Sequence, residues 1–195
     1  MPDTNISAKT APVTPQKSTP IGLNHLVLNV RDMAESHRFW TEVVGMTQVG
    51  ALVPGPTRPN PPNMRFYSLD HGGGRLSHHD VALVEKSDLP PPGGTHAIAH
   101  VAFAFPNREA WLSHLAYLQT IDVPFDRRIE HGMTHSLYIR DPNGYGVELM
   151  YELPREVWEG NIDAALNYTK SLPTEGPAAL EDRTAGIPIF TTRPA

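Results

Sequence analysis

The order of apolar and polar residues divides the chain into two similar stretches. An apolar run with strand character opens the first, IGLNHLVLNV at residues 21–30. Asp32 is placed to cap a helix over residues 33–44, MAESHRFWTEVV, whose apolar positions recur at helical spacing until Gly45 stops it. Strands are predicted at 46–52, 64–70 and 76–85, and the five prolines of VPGPTRPNPPN (53–63) make that segment a loop. A linker, PPPGG at 90–94, follows, and then the order recurs. HAIAHVAFAF (96–105) matches the first strand, with AHVAFAF (99–105) lying over NHLVLNV (24–30). Residues 107–120 read as a second amphipathic helix, and VPFDRRIE, THSLYIR and YGVELMYE as strands. The last two strands are joined by Asp141-Pro142-Asn143-Gly144, with Pro second and Gly fourth as a tight turn requires.

The pattern predicts an α+β fold of two tandem βαβββ units, residues 21–89 and 95–152, offset by 75 residues from His25 to His100. Two such units can curl into one partly open mixed-sheet barrel around a shared concave face. Residues 1–20, rich in Thr, Pro, Ala and Ser, are expected to be a flexible tail. Residues 153–195 form a polar extension with a weak helix at 160–170, free to pack on the domain or to reach a partner chain.

Composition narrows the function classes. Lys and Arg number 16 against 21 Asp and Glu in 195 residues, a net charge of −5 that gives no electrostatic reason for a nucleic-acid partner. There is no basic run for an anionic membrane surface and no apolar stretch long enough to span a bilayer. The N-terminus has no apolar segment of the signal-peptide kind, so a cytoplasmic location is expected. Cysteine is absent, which removes disulfides, thiolate metal sites and a Cys nucleophile. Ten histidines and the carboxylates are the strong metal ligands that remain.

The repeat gives those histidines meaning. His25 and His100 occupy the same place in the first strand of each unit, so two imidazoles are expected to converge on one cavity. Glu148 lies in the last strand between Val147 and Leu149, which face the other way. A carboxylate among apolar neighbours is costly to bury unless it is paired or ligates a metal. Two His and one carboxylate on separate strands form a facial triad that leaves three octahedral positions open. The alternative is two ordinary strand histidines and a solvent-facing Glu; the repeat favours the triad. His37 and His114 are expected on helix surfaces, His96 at strand entry, and His135 in solvent or in support of the site. Strand alternation lets only one of His78 and His79 face the cavity. Val101, Phe103, Met133 and Met150 are candidate cavity-lining residues. No HExxH, Walker loop or G-x-G-x-x-G is present.

The segment from His131 through Tyr138 and the Asp141-Pro142-Asn143-Gly144 turn to Glu148 resembles the signature of type I extradiol ring-cleaving dioxygenases, in the vicinal-oxygen-chelate superfamily. The resemblance covers roughly 21–152 and points to the small, one-domain subgroup. It implies that His25, His100 and Glu148 bind Fe(II), with Mn(II) possible, and that His79 is the acid–base histidine. It further implies that Tyr138 and His131 hydrogen-bond the substrate, and that O2 cleaves a catechol beside its hydroxyl pair to a muconic semialdehyde-type product. The partners so implied are the catechol and O2, with a homo-oligomer the default assembly. In a hairpin centred near Asn143, Tyr138 and Glu148 stand opposite each other with Cβ atoms about 5 Å apart. Two rivals share the scaffold. A glyoxalase-like lyase or isomerase uses a fourth ligand in the first unit's last strand, where DVALVE laid over GVELMY places Ala82. A non-enzymatic small-molecule-binding module usually lacks the metal residues.

Overall fold

The structure is a computed structural model that describes residues 19–93, 97–184 and 186–190. Most of the predicted tail, and His96, lie outside the described residues. The first unit comprises β1 (Leu26–Val30), α1 (Met33–Arg38), β2 (Thr47–Ala51), β3 (Met64–Ser68) and β4 (Val81–Glu85). The second comprises β5 (His100–Ala104), α2 (Arg108–Thr120), β6 (Arg127–His131), β7 (Thr134–Arg140) and β8 (Gly146–Glu152). The extension adds α3 (Arg155–Trp158), α4 (Ile162–Asn167) and β9 (Thr169–Leu172). The two sheets have strand orders β1-β4-β3-β2 and β5-β8-β7-β6-β9. Both are mixed, because β1 runs parallel to β4 and β5 parallel to β8, while the remaining pairs are antiparallel. Among the described residues the two sheets share no strand and do not close into a barrel.

Each unit builds from its sequence as its pattern requires. Asp32 caps α1 by accepting from the Glu35 N–H at 2.8 Å, and the helix continues as a π-turn over Phe39–Val43 before Gly45 (φ 87°) ends it. In β1, Leu28 and Val30 are buried while Val27 and Asn29 are exposed, so one strand face meets the core and the other stays open. Core-facing residues of both units share one cluster that includes Trp40 and Trp111, and Trp40 meets Phe103 edge-on at 5.9 Å. Phe103 therefore belongs to the core and not to the cavity face expected for it. His100, Ala102 and Ala104 hold the open face of β5, and Val101 shares the side of Phe103.

The Asp141–Gly144 turn docks the units together. Asp141 Oδ1 accepts from the Asn143 and Tyr145 N–H groups, and Asn143 reaches across to the Arg31 N–H (2.8 Å) and Ser36 Oγ (3.0 Å). His114, expected on a helix surface, is a second tie: its Nε2 donates to the Val43 carbonyl at 2.9 Å.

One strand is shorter than its apolar run predicts, and the structure settles the place of the extension, which the sequence left open. The strand predicted from residue 76 begins only at Val81, because Asp80 gathers its neighbours into a loop. Its carboxylate accepts from the Leu69 N–H, Ser68 Oγ, Ser77 Oγ and His71 Nε2 at 2.8–3.1 Å. The extension packs on the domain, with β9 pairing antiparallel to β6 at the sheet edge. No helix among the described residues is long and apolar enough to cross a membrane.

Candidate metal centre

The open face of the second sheet carries a connected set of donors. His100 begins β5 and Glu148 sits in the neighbouring β8, with His100 Nε2 3.0 Å from Glu148 Oε2. Gly146 makes that approach possible: a Cβ there would lie 2.5 Å from the Ala99 carbonyl oxygen and 3.0 Å from His100 Cβ. Tyr138 pairs with Glu148 in the β7–β8 register, as the turn position requires, and its hydroxyl donates to Glu148 Oε1 at 3.0 Å. With the phenol proton spent on Glu148, His131 Nε2 must be the donor to the Tyr138 oxygen, 3.0 Å away. The order of donation is therefore His131, Tyr138, Glu148. Burial, with the Glu148 charge beside it, pushes the Tyr138 hydroxyl up to about 12, so it stays protonated at neutral pH. Burial lowers the His131 pKa and keeps that ring a neutral donor.

The first unit carries a second cluster. His25 lies just before β1 with its ring centroid 4.3 Å from His79 and 6.2 Å from His78. His25 Nδ1 donates to Asn24 Oδ1 at 2.7 Å, a tautomer that leaves the Nε2 lone pair for a metal. His78 and His79 bond to each other through their Nδ1 atoms at 2.8 Å. They belong to the loop before β4, where alternation does not apply, and both stand beside His25. Phe66 packs on His79 at 5.0 Å. Burial, then the adjoining His25 and His78, hold His79 below the ordinary histidine pKa.

The chain thus brings together His100, Glu148, Tyr138 and His131, and separately His25, His79 and His78. Among the described residues no three His, Asp or Glu side chains converge closely enough within the chain to hold a metal. The donor chemistry nonetheless fits a divalent cation. Glu148 is 7% exposed, no Lys or Arg among the described residues bonds to it, and its imidazole neighbour is a metal ligand by type. The register also places Ala82 opposite Val27 as Glu148 stands opposite Ala102, so the first unit offers no carboxylate at the equivalent position.

Sequence reasoning missed several supporting residues. Asp80 fixes the His78–His79 loop, and its place directly after the two histidines was the available signal. Arg127 stacks its guanidinium over the Tyr138 ring, 4.2 Å from the centroid. Two cavities flank the His100–Glu148 pair. A polar one of about 360 Å³ is lined by His100, Asp126, Arg127, Tyr138 and Arg140. A largely apolar one of about 310 Å³ is bordered by Glu148, His131, Met133, Met150 and Ala102, and by α4 from the extension.

The chain is similar to several known proteins. Biphenyl-2,3-diol 1,2-dioxygenase 3 of Rhodococcus globerulus is 31% identical over 187 residues, 88% of this chain and 87% of that protein. That alignment takes in more residues than precede Leu153, so it includes part of the extension. A lactoylglutathione lyase of Pseudomonas putida is 28% identical over 173 residues, 76% of this chain and 93% of the lyase. A glyoxalase/dioxygenase crystal structure from Nostoc punctiforme superposes with a TM-score of 0.55 at 16% identity, covering 73% of this chain and all of that one, and supports the fold alone. Residues 22–149 match one family throughout, and the chain belongs to the Glyoxalase/Bleomycin resistance protein/Dioxygenase superfamily.

Proposed function

We propose that the protein is an Fe(II)-dependent extradiol dioxygenase that cleaves a catechol with O2. The observation that carries the reading is the β7–β8 hairpin, where Tyr138 donates to a buried Glu148 whose other oxygen meets His100. In this reading His25, His100 and Glu148 hold the metal. Mn(II) suits the same nitrogen and oxygen donors. Two copies of the chain close the site: the His25–His79 face of one meets the His100–Glu148 face of the other. The openness of both faces supports this, since His100, Val27 and Asn29 are exposed in the single chain. A divalent metal held by these residues would lower the pKa of a catechol hydroxyl and would supply open positions for both reactants.

The protein's own groups do the rest. Neutral His79, aimed at the His25 side, accepts a catechol proton and returns it when the ring opens. Tyr138, kept protonated, reorients its hydroxyl from Glu148 to the substrate oxygen. His131 fixes that hydroxyl from behind, and the Arg127 stack holds the ring in place. His79→Ala should retain metal yet slow turnover by about 100-fold or more. Loss of metal together with activity would instead make His79 a ligand.

A glyoxalase-like lyase is the second reading, because a lyase relative spans most of this chain. Ala82 in place of a fourth donor favours open positions and hence O2, and the dioxygenase alignment covers 88% of this chain against 76% for the lyase. The test is direct. Fe(II)-loaded protein in air should consume one O2 per catechol and turn the solution yellow. Isomerisation of a glutathione hemithioacetal without O2 uptake would select the lyase.

A further inference from the structure

The C-terminal extension is held to the domain far more firmly than a loose tail requires. Asp182 is buried and accepts from His135 Nδ1 (2.6 Å), Tyr151 Oη (2.7 Å) and Arg108 Nε (2.8 Å). Fully buried Arg128 donates to the carbonyls of Pro173, Ala178 and Glu181. Tyr168 and Lys170 both bond Glu130, and the Phe190 N–H donates to the Val157 carbonyl. These ties fix α4 against the strand ends beside the donor set. Gly132 lets it approach: a Cβ there would lie 2.5 Å from the Ala165 carbonyl oxygen and 2.7 Å from Ala165 Cα.

The result is a walled pocket. Its floor is Ala102, Met133 and Met150 on the sheet, its wall is Ala165 and Leu166 of α4, and its inner end is Glu148 and His131. At about 310 Å³ it has room for an apolar group the size of a phenyl ring. Leu166 is 64% exposed, an apolar side chain standing free at the pocket rim.

We propose that α4 is a specificity element: with Met133 and Met150, Leu166 receives an apolar substituent on the catechol whose hydroxyls face Glu148. This rests on the dioxygenase reading and adds the class of substrate. Unbranched Met side chains adapt to such a group, and no Lys or Arg among the described residues lines this pocket to attract an anionic one. The cations Arg127 and Arg140 line the other cavity, which makes a carboxylated catechol the natural competitor.

The test is anaerobic calorimetry of Fe(II)-loaded protein with catechol, 2,3-dihydroxybiphenyl and 2,3-dihydroxybenzoate. The wild type should bind the phenyl-substituted ligand about tenfold or more tighter than catechol. Leu166→Asp and Met150→Ala should narrow that ratio to about threefold or less, and Leu166→Met should restore it. Leu166 is mostly exposed, so its variants test the wall without threatening the core; Met150→Ala tests the floor independently. Catechols that bind with a ratio unmoved by these variants, or a preference for the benzoate, would overturn the inference and leave the dioxygenase reading standing. Failure of every catechol to bind would remove both.

Discussion

Glu148→Ala should abolish metal retention and ring cleavage while leaving the fold in place. Glu148 is the one anionic donor of the proposed triad, so its loss leaves two neutral imidazoles to face a dication. Removing groups that merely support a ligand costs 10- to 100-fold in metal affinity, and losing a ligand itself should cost more than about 100-fold. Truncation also strands the Tyr138 hydroxyl, which now donates to Glu148 at 3.0 Å, and frees the His100 ring. Each lost hydrogen bond is of the order of 1 kcal/mol, small against the whole. The circular dichroism spectrum should stay unchanged while bound metal after desalting falls to background. A Glu148→Ala protein that kept both metal and cleavage would show that the carboxylate has another role.

Asp182→Ala should be strongly destabilising. The Asp182 side chain is fully buried and is the shared acceptor for Arg108, His135 and Tyr151. Removing one partner of a buried, hydrogen-bonded charge pair costs about 3–5 kcal/mol. For a domain of this size that corresponds to a fall in Tm of roughly 6–20 °C. Burial alone would raise the Asp182 carboxyl, but hydrogen bonds from His135, Tyr151 and Arg108 override it and hold the group at about 2. A depressed carboxylate pKa adds stability above its unfolded value of 3.8, lost as pH falls through the folded value. About 2 kcal/mol should therefore disappear between pH 4 and pH 2 in the wild type and not in the variant. A variant melting within a degree or two of wild type, with the same acid sensitivity, would mean that the extension adds nothing to global stability.

The repeat and the hairpin were legible in the sequence because local rules fix them. The 75-residue offset, the cap at Asp32, the stop at Gly45 and the opposition of Tyr138 and Glu148 all follow from periodicity and turn chemistry within a few residues. What escaped were long-range effects. The Asp80 hub shortens a strand that its apolar run predicts from residue 76, and so turns His78 and His79 to one side. Phe103 reads as cavity lining until Trp40, 63 residues earlier, is seen to cover it. β9 and the Asp182 network depend on polar residues scattered over the extension, which have no periodicity to read. Ligand identities in such a fold come from motif spacing, but the meeting of His25 with His100 and Glu148 depends on how whole units, and whole chains, come together.

That meeting is open to a subunit-mixing experiment. His25→Ala and Glu148→Ala chains, each without metal alone, are unfolded together, refolded and desalted after exposure to Fe(II) under argon. Random pairing makes half of the dimers mixed, each with one intact His25–His100–Glu148 set. Bound metal should return to about a quarter of the wild-type level, and ring cleavage with it. If the mixture stays as empty as its parents while wild-type chains treated alike load fully, the site does not form between two copies.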